Sequence, residues 1–502
     1  MDKNKFYITT PIYYVNDVPH IGHAYTTVSA DVLARYNRLL GHEVMFLTGT
    51  DEHGSKVAES AAKAGLEPQE FCDINSGHFQ MTWDGLDISN NDFIRTTQTR
   101  HKTGVALFLN RLKEVGAIYE SEYEGYYCSG CEKFITEKDL VNGECPDHKK
   151  KPELIKEKNY FFKLSNYLPQ LEHLIDSGEM EIYPAARKKE VLGLFKQDLN
   201  DFSVSREHVK WGIKVPFDDS QVTYVWVDAL SNYITALGYG SDDHSNFEKF
   251  WPADVHLMAK DIIKFHCLYW PAMLLAIGEQ LPKVIFAHGF FSIDGHKMSK
   301  SVGNIIDPNE LVSQFGSDPT RYLLLCQFPF GADGDIKAEN FVLQYNSDLA
   351  NGIGNLVSRV TAMAEKYFEG IVPESDAELE KPVADIWKFY QDGLSDFQVD
   401  KAIEGIKKIV SLADGYIDKN KPWELAKSDQ AKLAKTIYNL LEVIRHLGLL
   451  VYPIMPETAV KILTILGKED FTNYHLADLN HWGLLSPGDK INKSEALFPR
   501  IQ

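Results

Sequence analysis

The sequence predicts an α/β protein in which a doubly wound parallel sheet is followed by an α-helical bundle. The first fifty residues read as strand, helix and strand, and strand and helix patterns of the same kind return between 222 and 290. After residue 345 strand signals give way to successive helical runs. With 502 residues, the chain exceeds what one hydrophobic core usually supports, so several domains are expected.

The amino-terminal unit is the clearest of these patterns. A strand "KFYITTPI" precedes the helix "GHAYTTVSADVLARYNRLLG", and a second strand, "HEVMFLT", runs into the polar loop "GTDEHG". The helix places its larger apolar side chains on one face, namely Val28, Val32, Leu33, Tyr36 and Leu40. Two strands joined through a helix form a βαβ unit, which predicts a parallel sheet.

The sheet resumes late in the chain. "VTYVWVDAL" is strand-like, "DIIKFHCLYWPAMLLAIG" is an apolar helix and "KVIFAHGF" is a buried strand, whereas the stretch between the two halves is rich in charge and aromatic residues. We therefore predict one sheet split by an insertion. The predicted regions are 1–117 and 222–290 for the two halves of the sheet domain, 118–221 for the insertion, 291–345 for a connecting region and 346–502 for the bundle.

Composition restricts the class of protein. Of the residues, 44% are hydrophobic and 25% are charged, and no apolar run reaches 18 residues, so no membrane span is expected. "MDKNKFYITT" shows neither a secretory nor an organelle-import pattern, which leads us to expect a cytoplasmic protein. The net charge of −19 argues against nonspecific attraction to nucleic acid but not against a local basic face.

A cluster of cysteines predicts a metal site within about 126–150. Cys128 and Cys131 are separated by two residues, as are Cys145 and His148, and a short loop joins the pairs. Two such pairs fit a tetrahedral Zn²⁺ site, whereas free thiols are the alternative. Because four protein ligands leave no open position, the expected zinc is structural, with one ion per chain.

Two short motifs carry lysine and histidine side chains suited to phosphate. In "PHIGHAY", His20 and His23 bracket Gly22 at a helix start, where backbone N–H groups and the helix dipole favour anions. In "GHKMSKSVGN", Lys297 and Lys300 lie three residues apart in a loop of small residues. Taken alone, each motif also fits a purely structural explanation. The histidines could belong to a helix-entry turn, and the lysines to a solvated basic loop. The two motifs together, in this order, are far more specific for a phosphate-binding function than either motif alone.

HIGH at 20–23 followed by KMSKS at 297–301 resembles the class I aminoacyl-tRNA synthetases, which have a Rossmann-like catalytic domain. Within that class the chain resembles the methionyl-tRNA synthetase family, through "TTPIYYVNDVPHIGHAYT", "FLTGTDEHG", "YVWVDAL", "HGFFSIDGHKMSKSVGN", "GNLVSRV" and "KPWELAK". The resemblance covers nearly the whole chain. It implies that methionine is activated with ATP as methionyl-adenylate and then transferred to the terminal adenosine of initiator and elongator tRNA(Met).

The resemblance also implies roles for matched residues. His20, His23, Lys297 and Lys300 are the expected catalytic residues, with Mg²⁺ accompanying ATP. The ATP site is expected to include Gly22, Lys260, Asp261, His288, Gly289 and Met298 as well. The methionine pocket is expected to comprise Ile12, Tyr14, Trp226, Ala229, Tyr233, Phe265 and His266, with Asp51 facing the α-ammonium group and Asp228 acting indirectly. Arg206 is expected to pair with Asp51.

The resemblance implies that the carboxyl-terminal bundle reads the CAU anticodon with Asn355, Arg359 and Trp423. Asn355 and Arg359 lie four residues apart and so share a helix face, and Trp423 supplies an aromatic surface on which an RNA base could stack. The region 291–345 is expected to contact the tRNA stem. The final "ALFPRIQ" shows no appended oligonucleotide-binding domain, from which we expect a monomer.

Three other functions fit parts of the pattern. Synthetases for isoleucine, leucine or valine usually carry a larger insertion than 118–221. A noncatalytic tRNA-binding protein with this fold would not need both intact lysine and histidine motifs. An ATP-dependent amino-acid ligase that lacks tRNA would not need the anticodon residues.

Overall fold

The predicted βαβ unit forms as expected at the amino-terminal end. The computed structural model describes residues 4–16, 18–128, 133–135, 140–146, 149–297, 304–468, 471–493 and 495–501. The first elements are β1 Lys5–Tyr14, α1 Ile21–Leu39, β2 Glu43–Asp51, α2 Ser55–Ala64, α3 Pro68–Gly85, β3 Asp92–Arg95 and α4 Thr99–Glu114. The predicted face of α1 is buried except for Leu40, which lies beyond the helix end and is 38% exposed.

The insertion that follows is largely antiparallel. Its elements are β4 Ile118–Cys128, β5 Lys133–Ile135, β6 Glu153–Phe162, α5 Leu168–Ser177, β7 Glu181–Tyr183, α6 Ala185–Leu194, β8 Phe202–Ser203, β9 Ser205–Arg206, β10 Lys214–Val215 and β11 Asp218–Thr223. Strands β5-β4-β6-β8 form one sheet and β10-β11-β9 form another.

The second half of the main sheet then follows, with three short helices before its first strand. Its elements are α7 Val225–Leu230, α8 Asn232–Thr235, α9 Ser245–Phe250, β12 Val255–Ala259, α10 Trp270–Ala276 and β13 Val284–His288. The strand prediction for "VTYVWVDAL" was wrong beyond Thr223, because Val225–Leu230 is helical and buried on nearly every side, which hides its period.

The main sheet has the strand order β3-β2-β1-β12-β13-β7, and each neighbouring pair is parallel. Strand β7 lies within the predicted insertion 118–221 and pairs with β13 at the edge of the main sheet. A three-residue edge strand is too short to show a period in the sequence. The connections between parallel strands place helices on both faces of the sheet.

A connecting region joins the sheet to the bundle. It contains β14 Phe291–Ile293, β15 His296–Lys297, α11 Pro308–Phe315, α12 Ser317–Leu325, β16 Gly334–Ile336 and α13 Asn340–Gln344, with a π-helical stretch at Tyr345–Gly354. Strand β14 pairs antiparallel with β15 and parallel with β16.

The bundle consists of amphipathic helices, as predicted. They are α14 Asn355–Phe368, α15 Glu380–Ser395, α16 Val399–Asn420, α17 Pro422–Ser428, α18 Gln430–Val451, α19 Pro456–Ile465 and α20 Leu476–Leu479. One apolar core runs from α1 through α12 into the bundle, and a second lies on the other face of the main sheet. Within the described residues, none of the helices has the length and apolar character that crossing a bilayer requires.

Candidate active site

The candidate site lies where the strand order of the main sheet reverses. Strand β1 has β2 on one side and β12 on the other, and ligands of such sheets bind beyond the carboxyl ends of the strands at this point. His20 follows β1, Lys260 follows β12 and His288 ends β13. The sheet therefore brings together three predicted ATP-site residues that are far apart in the sequence.

His20 and His23 form a reciprocal cap at the start of α1. The Gly22 N–H donates to Nδ1 of His20 over 3.1 Å, and the His20 N–H donates to Nδ1 of His23 over 3.3 Å. Their rings stack with centroids 3.8 Å apart. Because each Nδ1 accepts a hydrogen bond, the neutral rings carry their protons on Nε2 and present N–H donors.

The surroundings hold His23 neutral and fixed. Burial, and then the neighbouring His20, lower the pKa of His23 well below its usual value. The ring of Tyr13 packs against that of His23, and the Tyr13 hydroxyl lies 2.8 Å from Oγ1 of Thr27, which in turn donates to the His23 carbonyl. A neutral imidazole is thus held as a hydrogen-bond donor.

His288 occupies a more internal position than the sequence suggested. Its Nδ1 lies 2.8 Å from the Gly289 carbonyl oxygen, to which it donates, so Nε2 accepts from the Thr26 hydroxyl over 2.7 Å. Burial lowers the pKa of His288 to about 4. The Nε2 contact therefore joins β13 to α1, whereas the Nδ1 contact fixes the ring against the chain that leaves β13. A Cβ at Gly289 would lie 2.3 Å from the Ala332 carbonyl oxygen, so this position requires glycine.

Lys260 reaches across the same edge of the sheet. Its ammonium group lies 2.6 and 2.7 Å from the carboxylate oxygens of Asp333, which also accepts from the Phe290 N–H over 2.8 Å. The hydrogen bond from Lys260 is the main cause that lowers the pKa of Asp333. Asp261 lies beside it in the 3₁₀ turn Lys260–Ile262.

The predicted lysine loop follows a hairpin at this edge. Asp294 and Gly295 turn the chain with positive φ angles of 50° and 75°, and the Asp335 carboxylate accepts from the Gly295 N–H over 2.8 Å. The backbone of Lys297 lies in β15. Met298 and Lys300 lie outside the described residues.

The predicted methionine pocket is lined by aromatic rings. Trp226 of α7 and Phe265 of the π-helical turn Phe265–Tyr269 stack face to face, with centroids 3.7 Å apart and planes 7° apart. Ile12, Tyr14, Trp226 and Phe265 are partly buried against the core that contains Tyr233, and Ala229 lies one turn from Trp226. The fold thus gathers these residues from β1, α7, α8 and the π-helical turn.

Two polar side chains of this pocket, His266 and Tyr233, hydrogen-bond to each other. Nδ1 of His266 lies 3.0 Å from the Ile262 carbonyl oxygen and donates to it, so Nε2 accepts from the Tyr233 hydroxyl over 2.7 Å. Burial lowers the pKa of His266 to about 4. Asp51, which is 3% exposed, is the register partner of Tyr14 at the ends of β2 and β1, so its backbone lies beside one of the predicted pocket residues.

A buried network around Asp228 was not anticipated. Nδ1 of His53 and Nε2 of His101 each lie 2.7 Å from a different carboxylate oxygen of Asp228, and Nδ1 of His101 lies 2.7 Å from the Thr235 hydroxyl. Burial acts to raise the pKa of Asp228, but the two histidines lower it to about 2. His53 could have been found from the sequence, because it lies in the "GTDEHG" motif. No local pattern in the sequence marks His101 as a member of this network.

Arg206 forms an ion pair with Glu157, whereas Asp51 was the expected partner. Its Nε and Nη2 atoms lie 2.7 and 3.1 Å from the Glu157 carboxylate, and its guanidinium lies 4.0 Å from the centroid of the Tyr127 ring. Tyr127 directly precedes Cys128, so this contact links the cysteine region to strand β9, which carries Arg206.

Two of the four predicted zinc ligands are described. Cys128 and Cys145 are buried and pack together beside Leu140. Cys131 and His148 lie outside the described residues. Among the residues that the structure does describe, no group of three or more metal-ligating side chains comes together. The two thiols are nevertheless adjacent, as a shared tetrahedral site requires.

The predicted anticodon residues lie on two helices of the bundle, α14 and α17. Asn355 is exposed and Arg359 half-buried on the same face of α14, and the Arg359 guanidinium pairs with Asp414 of α16 over 2.9 Å. Trp423 begins the short helix after α16 and is 46% exposed. An exposed indole on a polar helical surface is suited to stacking on an unpaired base.

Comparisons with known proteins agree with the fold. A family model described as tRNA synthetases class I (M) matches residues 6–151 and 138–361, and one described as the anticodon binding domain of methionyl tRNA ligase matches 369–502. The fold, the histidine cap at the sheet reversal and these matches define a class I aminoacyl-tRNA synthetase.

Full-length relatives specify the family. A methionine–tRNA ligase of Caldanaerobacter subterraneus subsp. tengcongensis is 46% identical over 99% of this chain and 79% of its own length. That of Rickettsia felis is 44% identical over 100% of this chain and 99% of its own length. The chain belongs to the methionine–tRNA ligase family, and its reaction joins methionine to tRNA.

Solved structures show the same relationship. Methionyl-tRNA synthetase of Mycobacterium tuberculosis in complex with methionyl-adenylate has a TM-score of 0.94 at 39% identity, covering 99% of this chain and all of that chain. Its free form has a TM-score of 0.87 at 36% identity, covering 99% of this chain and 98% of that chain.

Proposed function

We propose that His20 and His23 bind the phosphates of ATP while a methionine carboxylate attacks the α-phosphorus. The new P–O bond forms methionyl-adenylate as the bond to pyrophosphate breaks. A hydroxyl of the terminal tRNA adenosine then attacks the methionyl carbonyl carbon, and AMP leaves. The observation that carries this proposal is the reciprocal histidine cap at the sheet reversal, because it supplies fixed N–H donors where anions bind.

The remaining phosphate contacts come from two lysines on the loop after β15. Lys297 and Lys300 stabilise the negative charge that builds up on the departing pyrophosphate, and Mg²⁺ bound with ATP supplies further positive charge. Gly22 allows close approach to the backbone of α1, and Lys260, Asp261 and Met298 complete the ATP site. His288 and Gly289 shape this site from within, because both nitrogens of His288 are engaged by Thr26 and Gly289.

Methionine binds with its thioether between apolar and aromatic walls. Sulfur gains from contact with aromatic rings, and Trp226 and Phe265 present such rings together. The Asp51 carboxylate binds the α-ammonium group. Asp228 acts on both sides of the pocket, since it lies on α7 with Trp226 and holds His53, two residues after Asp51.

The bundle reads the anticodon of initiator and elongator tRNA(Met). Trp423 stacks on a base, while Asn355 and Arg359 hydrogen-bond to base edges. In the free protein Asp414 holds the Arg359 guanidinium in place, over 2.9 Å. A base that binds here therefore competes with Asp414 for the half-exposed guanidinium of Arg359.

One structural zinc ion per chain is held by Cys128, Cys131, Cys145 and His148. Support comes from the two buried, adjacent thiols and from the four-ligand set of sulfur and nitrogen atoms. Cys145→Ser is expected to remove zinc from the purified protein, measured by elemental analysis. Cys267→Ser, which alters a buried cysteine of the catalytic core, is the control and should retain one ion. Zinc retained in Cys145→Ser would contradict the assignment.

The enzyme is proposed to act as a cytoplasmic monomer. One chain carries the sheet reversal, the aromatic pocket and the bundle, so no second copy is needed to complete a site. The proposed regions are those predicted, except that Glu181–Tyr183 belongs to the catalytic sheet. Sedimentation at micromolar concentration tests the monomer, and a dimer would contradict it.

A histidine substitution tests the central proposal. Loss of one preorganised donor to developing charge typically lowers kcat by about 100-fold or more, so His23→Ala is expected to reduce pyrophosphate exchange by at least that factor. His244→Ala, in an exposed histidine away from the sheet reversal, is the control. A change of less than about threefold in His23→Ala would refute the role.

A further inference from the structure

Arg321 of α12 is fully buried, with 0% exposure, at the junction between the catalytic sheet and the bundle. A guanidinium carries five N–H donors in a fixed plane. Each of these five donors has an acceptor. Nε donates to the Ile454 carbonyl (2.7 Å), Nη1 to the carbonyls of Leu86 (3.0 Å) and Asp87 (3.3 Å), and Nη2 to the Asp31 carboxylate (2.7 Å) and the Pro453 carbonyl (3.0 Å).

These acceptors come from separate parts of the protein. Asp31 lies on α1, the helix that begins with His20 and His23. Leu86 and Asp87 follow α3 of the catalytic domain, whereas Pro453 and Ile454 connect α18 to α19 in the bundle. A single side chain therefore joins the catalytic helix to the anticodon-binding domain.

The carboxylate at the centre of this junction is equally well satisfied. One oxygen of Asp31 accepts from Arg35 and Arg321, each over 2.7 Å, and the other accepts from the N–H and the hydroxyl of Ser89. A buried charge is tolerated only when it is paired and hydrogen-bonded in this way. Lysine at 321 would supply three donors rather than five and would lose the planar arrangement.

Two neighbouring side chains of α12 reinforce the junction. The Asp318 carboxylate accepts from the Thr458 N–H at the start of α19 over 2.6 Å. The Tyr322 hydroxyl donates to Asp348 over 2.9 Å, and Asp348 pairs with Lys407 of α16 over 2.8 Å. Helix α12 is thus fixed to several bundle helices as well as to α1.

We propose that Arg321 is a positioning residue for tRNA charging, which fixes the orientation of α1 relative to the bundle. A tRNA held by its anticodon then presents its terminal adenosine at the site carrying His20 and His23. The inference rests on the anticodon role proposed above for the bundle. Methionine activation needs no such alignment, because methionine and ATP bind entirely within the catalytic domain.

The first test compares charging with pyrophosphate exchange in Arg321→Lys. We expect kcat for charging to fall at least tenfold while exchange falls less than threefold. Arg35→Lys is the matched control, because the hydrogen bonds of the Arg35 guanidinium go to Asp31 and Asp87, both in the catalytic domain. It should change both activities by the same factor. Equal losses of exchange and charging in Arg321→Lys would overturn the proposal.

A double-mutant cycle separates positioning from general destabilisation. If Arg321 aligns the bound tRNA, the loss of charging caused by Trp423→Ala should be at least threefold smaller in the Arg321→Lys background than in the wild type. The same loss in both backgrounds would overturn the inference. No loss from Trp423→Ala in the wild type would instead refute the proposed anticodon role.

Tyr322→Phe provides a gentler perturbation should Arg321→Lys fail to fold. It removes the hydroxyl that binds Asp348 and keeps the buried ring. We expect charging to fall at least threefold with exchange unchanged within 1.5-fold. Unchanged charging in a folded Tyr322→Phe protein would contradict the proposal that α12 sets the alignment.

Discussion

Replacing Asp228 by asparagine removes the negative charge of a carboxylate that hydrogen-bonds to two buried histidines, His53 and His101. The fold lowers the pKa of Asp228 from 3.8 to about 2, which corresponds to about 2.5 kcal/mol in favour of the ionised carboxylate. In Asp228→Asn, one amide oxygen still accepts a hydrogen bond, but the NH₂ group faces the N–H of the other imidazole. The free energy of unfolding should fall by about 2–3 kcal/mol, since hydrogen bonds to a charged group are replaced by weaker or unmade ones.

The same substitution should weaken methionine binding selectively. Asp228 joins α7, which carries Trp226, to His53, which follows Asp51 by two residues. Loosening this connection shifts the aromatic wall and the carboxylate for the ammonium group together. We expect KM for methionine in pyrophosphate exchange to rise by about tenfold, or about 1.4 kcal/mol, while KM for ATP changes by less than about threefold.

Urea denaturation and exchange kinetics measure the two effects, with Asp219→Asn as the control at an exposed aspartate. A carboxylate with a lowered pKa stabilises the fold above its unfolded pKa, and this contribution is lost as the pH falls from about 3.8 towards 2. The stability difference should therefore be full at pH 7. A loss below about 1 kcal/mol together with an unchanged KM for methionine would refute the reasoning.

Three further predictions concern separate parts of the chain. His266 and His288 have pKa values lowered from 6.5 to about 4, so the unfolded state binds more protons between these values, and the free energy of unfolding should decrease as pH falls through that window. Measured by urea denaturation from pH 7.5 to 5, the free energy of unfolding of His288→Gln should depend less steeply on pH than that of the wild type. The same pH dependence in both proteins would count against burial of a neutral imidazole at this position. Trp423→Ala should lower kcat/KM for tRNA by about 10-fold or more, since stacking on one base is worth about 1–3 kcal/mol. Tyr474→Ala, at a bundle tyrosine that is 54% exposed, should leave charging unchanged, and equal losses in both variants would contradict specific base stacking. Lys300→Ala should slow methionine activation by about 100-fold while methionine affinity, measured by calorimetry, stays within twofold, and a collapse of that affinity would show that the loop holds methionine rather than pyrophosphate.

The periodicity of apolar residues was sufficient to predict a helix or strand where the element is long or has one buried and one exposed face. The helical runs predicted after residue 345 are observed, the longest of them including Val399–Asn420, and the βαβ unit at the amino terminus is reproduced within a few residues. The prediction failed for Val225–Leu230, where burial on nearly every side removes the helical period. It also failed for Glu181–Tyr183, where only the pairing with β13 defines the strand.

The site could be predicted only as far as motifs mark it. The resemblance led to His20, His23 and the aromatic pocket, and the fold brings those residues together. The hydrogen bonds that fix the protonation of Asp228 and His288 are long-range and have no local pattern. His101 lies 127 residues from Asp228, and Thr26 lies 262 residues from His288. No sequence motif marks Arg321, whose acceptors come from 31, 86–87 and 453–454.

Amino-acid-dependent exchange of pyrophosphate into ATP, measured with each of the twenty amino acids, tests the central claim most directly. The aromatic pocket and the histidine cap predict that methionine supports the fastest exchange, with a higher kcat/KM than any other amino acid. Exchange that is faster with leucine, isoleucine, valine or another amino acid would contradict the assignment of this site to methionine.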